Sequence, residues 1–165
     1  MKKKLLLVFA LIMAMTLVAC GGKTEDASDT SDKGDNKKQE KEFDAAALVN
    51  ELKSSIKYES ELEMVEAGEI SNYVDLEDGV EATLYLSNGT TAEEIGVFVC
   101  KDKATADKML ENVKSYLSDQ SESFKNYIPK ESDRIEGGVV EIKNNAVIMC
   151  ISGDSNKAKE IINKY

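Results

Sequence analysis

Two adjacent carboxylates, Glu93 and Glu94, stand immediately before an apolar run that begins at Ile95. A pair of acids is what acid/base cleavage of a glycosidic bond requires. Successive residues of a strand point to opposite faces, so two acids in series would not converge on one substrate. A solvated turn, with Thr91 and Glu94 bonding local amides, is the expectation. Cys100 and Cys150 lie in or beside the two most apolar segments. An oxidising compartment would permit a disulfide between them if their strands are neighbours in register, and two reduced core thiols fit the same residues. A catalytic cysteine is disfavoured, because the chain has no His to act as its base. Asp75-Leu76-Glu77-Asp78-Gly79 has the acidity for calcium but lacks the alternating ligands and the twelfth-position Glu, so an ordinary acidic turn is expected. Phe124, Tyr127 and Pro129 suit a recognition patch, and equally a helix end packed on a sheet. No G-x-G-x-x-G, Walker loop or Cys-x-x-Cys is present, and no cofactor or metal is expected.

Composition narrows the function classes further. The 165 residues carry 21 Lys+Arg against 31 Asp+Glu, a net charge of −10, with no His. Without imidazole there is no Ser-His-Asp or Cys-His relay and no simple switch near neutral pH. The negative balance argues against a nucleic-acid partner, which needs a basic face.

The first twenty residues indicate where the chain goes. Lys2, Lys3 and Lys4 precede an uncharged stretch from Leu5 to Leu17. That stretch is too short to span a bilayer, which takes about 20 apolar residues, and has the length of a signal-peptide core. Leu17-Val18-Ala19-Cys20 resembles the lipobox of bacterial lipoproteins, which implies cleavage before Cys20 and a lipid on its thiol. Residues 1–19 are thus expected to be removed. Residues 20–42 then hold the lipidated Cys20 and a flexible tether, in which Ala27 is the one apolar side chain after Cys20. Its 22 residues beyond Cys20 would reach on the order of 25 Å as a random coil. The expected location is the extracytoplasmic face of the cell membrane, with the lipid as the membrane contact.

Residues 43–165 remain for one folded domain with 13 basic and 24 acidic groups, a net −11. Asp44 can cap a helix whose stripe is Leu48, Leu52 and Ile56. Residues 61–78 are ambiguous, with a strand candidate at Leu62–Val65 and a helical turn around Ile70–Tyr73. Val80–Leu86 alternates like a half-buried strand, and Ile95–Cys100 reads as one buried on both faces. Asp102 can cap a long helix carrying Ala106, Met109, Leu110, Val113, Leu117, Phe124 and Ile128, which Pro129 would terminate. A second hairpin, Val139–Ile142 and Ala146–Ile151, precedes a final helix capped by Asp154 or Ser155. The fold class is α+β, an antiparallel sheet of about four strands with packed helices, in the order α-ββα-ββα.

Thr91 to Phe98 followed by Lys101-Asp102, then Phe124, Tyr127 and Pro129, then Gly138-Val139-Val140, is similar to a family of small Firmicutes lipoproteins over roughly residues 44–163. The resemblance implies a Gram-positive cell-envelope lipoprotein whose shared domain has no assigned role, and it brings no catalytic residue. The chain is accordingly expected to be a membrane-anchored, non-catalytic module for an envelope protein or a small ligand. The alternative is a carboxylate-dependent envelope hydrolase.

Overall fold

The computed structural model describes residues 43–165, and the expected signal peptide, lipidated Cys20 and tether lie outside the described residues. Asp44 Oδ1 accepts from the Ala47 amide at 2.8 Å and starts α1 (Ala45–Ser55), which buries Leu48, Val49 and Leu52. A two-residue strand, β1 (Glu63–Met64), and a 3-10 turn (Ala67–Asn72) occupy the segment that the sequence leaves ambiguous. The hairpin β2 (Glu81–Leu86) and β3 (Glu94–Val99) leads to α2 (Lys103–Lys125), whose cap is Asp102. A further helix, α3 (Pro129–Glu136), is followed by β4 (Val139–Lys143), β5 (Ala146–Ile151) and α4 (Ser155–Ile162), capped by Asp154.

The α+β class holds, with five antiparallel strands in the order β1-β2-β3-β5-β4 where about four were expected. The fifth is β1, pairing Glu63 with Leu86 and Met64 with Tyr85. Helix-breaking at Pro129 was expected to end the long helix. In the fold α2 stops at Lys125, and Pro129 is instead the first residue of α3. Proline suits that place because the first helical N–H has no intrahelical partner and the ring presets φ.

β3 and β5 are central strands covered on both faces. On one face Leu84, Phe98, Val147, Met149 and Ile151 pack with Ala106, Met109, Val113 and Leu117 of α2. On the other, Ile95, Val97, Ile148 and Cys150 pack with α1 and α4. Gly96 permits the first layer to close, because a Cβ there would stand 2.8 Å from both Met149 Cε and Phe98 Cε2.

This layering decides the cysteine question. Cys150 sits opposite Ile95 in the α1/α4 layer, whereas Cys100 belongs to the α2 layer and donates its amide to Asn145 O at the other end of β5. Both thiols are free and buried, so the disulfide does not form. Burial raises both thiol pKa values, that of Cys150 to about 11, which keeps them unreactive.

Candidate functional site

Glu93 directly precedes β3 and Glu94 is its first residue, so the two side chains diverge and meet different partners. The expectation of a solvated turn is overturned: the side chains are 1 % and 2 % exposed. Their surroundings differ, and so does what each can do.

Glu93 is fully engaged. Its oxygens accept from the Glu59 amide at 2.8 and 3.0 Å, from the Ser60 amide at 3.0 Å and from Thr91 Oγ1 at 3.1 Å. Arg134 Nη1 lies 2.8 Å from Glu93 Oε1. The same guanidinium reaches Glu131 Oε2 at 3.4 Å and pairs with Glu59 through Nη2. Glu131 is fully buried on the first turn of α3 and accepts the Ala92 amide at 2.8 Å. Arg134 therefore ties α3 to the 87–93 connection and to the segment after α1. Sequence reasoning missed both Glu131 and Arg134 because it ended the helix at Pro129. A usable signal was there: a proline start with Gly137 just beyond the last turn is the ordinary asymmetry of a short helix.

Glu94 is the opposite case. Oε2 accepts from Tyr116 Oη at 2.7 Å, and Gln120 donates in turn to that hydroxyl. Oε1 is buried with no partner among the described residues. Burial pushes the Glu94 carboxyl up to about 8, against the smaller opposing effect of the Tyr116 hydrogen bond. The group is thus a neutral acid near pH 7. It lines a cavity of about 220 Å³ with Tyr73, Leu86, Glu93, Gln120 and Phe124, far above the ~10–15 Å³ that admits a water molecule. A larger groove of about 470 Å³ runs between α2 and α3, past Leu117, Ser121 and Ile135, but no buried polar atom in its lining lacks a partner. The smaller cavity carries the chemistry.

Of the remaining candidates only Phe124 reaches it. Tyr127 is 84 % exposed, while Phe124 turns into the cavity wall. Asp75–Gly79 is an irregular connection, with the Asp75 carbonyl accepting from Asn112 at 3.0 Å. Among the described residues no group of three or more ligating side chains could hold a metal ion.

Residues 54–152 match the family described as Domain of unknown function (DUF4358). The chain belongs to the DUF4358 family. No curated protein and no solved structure matches it. The DUF4358 segment runs from the end of α1 to the residue after β5. It therefore contains the whole sheet, α2 and α3, and with them Glu93, Glu94, Tyr116 and Arg134, while α4 lies outside.

Proposed function

We propose that this chain is a lipid-anchored, extracytoplasmic binding module of a Gram-positive cell envelope, with the Glu94 cavity as its site. Cys20 carries the lipid, residues 21–42 form the tether, and the domain presents the cavity at a distance from the headgroups. The observation that carries the non-catalytic part is the engagement of Glu93: its carboxylate is consumed by two backbone amides, Thr91 and Arg134, and cannot act as a second catalytic carboxylate beside Glu94. The resemblance to Firmicutes lipoproteins and the L-V-A-C sequence at 17–20 support the location.

The anchor is tested by Cys20→Ala. The variant is expected to keep its leader uncleaved and to incorporate no labelled fatty acid; a variant that is still processed or still takes up the label would refute the lipid. No helix among the described residues is long and apolar enough to cross a membrane.

A second reading has one observation in its favour. A buried carboxyl that stays protonated near neutral pH is the form a general acid takes in glycan hydrolysis. Release of reducing ends from purified peptidoglycan separates the two readings. The module predicts no turnover above background by either the wild type or Glu94→Gln, whereas turnover by the wild type that the variant loses would establish the hydrolase.

A further inference from the structure

The cavity opens beside a second depression, of about 370 Å³, that shares Tyr73, Leu86 and Ser87 as walls and adds Glu63, Glu66 and Glu69. All three of these acids are exposed, and no basic residue lines either space. A cation is therefore drawn toward the mouth by the groove and by a domain of net charge −11. At the inner end the wall includes Glu94, whose Oε1 is buried and has no partner among the described residues. The rings of Tyr73 and Phe124 in the wall suit the alkyl chain and the charged head of an organic cation alike.

We propose that the Glu94 cavity and the adjoining acidic groove together bind an aliphatic di- or polyamine, one ammonium on Glu94 Oε1 and a second on Glu63, Glu66 and Glu69. This names the ligand class of the site and rests on the binding-module reading. A compact inorganic dication would forgo the aromatic walls and keep its hydration shell in the open groove. An ammonium at Oε1 lets Glu94 ionise, because a close positive charge offsets the desolvation that otherwise keeps it neutral. The proton on Glu94 is then released to solvent as the ligand enters. The other ionisable groups near Glu94 are Tyr116 of α2, which bonds it, and Tyr73 in the same cavity wall, while Cys150 of β5 lies on the opposite face of the sheet within electrostatic reach. Burial raises the Tyr116 and Cys150 values, so neither takes up or supplies that proton near pH 7.

The test is calorimetric titration of the full-length chain in detergent with 1,4-diaminobutane and with spermidine, in two buffers of different ionisation enthalpy at pH 7. One-to-one binding with net proton release is expected, and none to 1,4-butanediol. Glu94→Gln, which keeps the shape of the protonated acid, is expected to weaken binding at least tenfold and to abolish the proton release, with its fold checked by circular dichroism. Glu63→Gln/Glu66→Gln/Glu69→Gln, at exposed positions that do not threaten folding, is expected to weaken the longer amine more and to flatten the salt dependence. Absence of amine binding to folded wild type, unchanged affinity in Glu94→Gln, or equal displacement by Mg²⁺ would each overturn the proposal. Because turnover on peptidoglycan is read separately, failure of amine binding alone leaves the module standing with another ligand, and turnover sinks the module itself.

Discussion

Replacing Arg134 by Met is expected to destabilise the domain by about 3–5 kcal/mol, the usual cost of removing one partner from a buried ion pair. Glu93 and Glu131 are 1 % and 0 % exposed, and the Arg134 side chain is 10 % exposed, so water cannot replace the guanidinium. The variant strands two buried carboxylates whose other partners are backbone amides, Thr91 and Lys130 at 3.4 Å. Against a typical domain stability of ~5–15 kcal/mol this is a large fraction. The Glu59 arm matters least, because that carboxylate is 55 % exposed and an ion pair in water is worth little. Urea unfolding should show the midpoint falling by roughly 2 M at an unchanged slope, taking m as ~2 kcal/mol/M. Glu93→Gln added to Arg134→Met is expected to cost less than the sum of the two single changes, since the double variant leaves one fewer charge stranded. A loss below 1 kcal/mol in Arg134→Met would mean that the cluster is solvated. Arg134→Lys should fall between, because a single ammonium cannot reach three carboxylates as the guanidinium fork does.

What the sequence discloses about this fold is local, and what it hides is not. Asp44, Asp102 and Asp154 are readable as caps because a cap binds an amide three residues on. The apolar run from Ile95 marks a central strand, because residues covered on both faces must be apolar on both. The partners of Glu93 and Glu94 are remote: Tyr116 is 22 residues from Glu94, and Glu59 and Ser60 are 34 and 33 from Glu93. No spacing rule reaches that far, so two acids in series read as a wet turn although both are buried. One compositional sign was available. Arg134 is the sole arginine among 21 basic residues, and a chain that otherwise uses lysine places arginine where several acids must be bridged from one fixed plane. The cysteine pair fails for a related reason. The strands are indeed adjacent, but a disulfide also needs a shared face and a matching register, which apolar runs do not encode.

Glu94→Gln is expected to change the pH dependence of stability more than any other single substitution. An ordinary glutamate has a value of 4.5, and burial raises Glu94 to about 8. Between those two values the unfolded chain has lost this proton and the folded chain has kept it, so ν_U is smaller than ν_N and stability falls as pH rises. The slope is on the order of 1 kcal/mol per pH unit from about pH 5 to 8. Below that window both states hold the proton, above it neither does, and on either side the contribution is flat. Glutamine reproduces the neutral acid's shape and can still bond Tyr116, but it has no proton to lose. The variant should therefore match the wild type near pH 4 and become increasingly the more stable of the two up to pH 8, by several kcal/mol at the upper end. Urea midpoints across pH 4–9 measure this directly. A constant difference between the two proteins across the range would show that Glu94 ionises normally, as it would if water reached Oε1. Diaminobutane, if it binds as proposed, should reduce the difference at pH 8 by stabilising the wild type alone, because only the carboxylate can receive the ammonium.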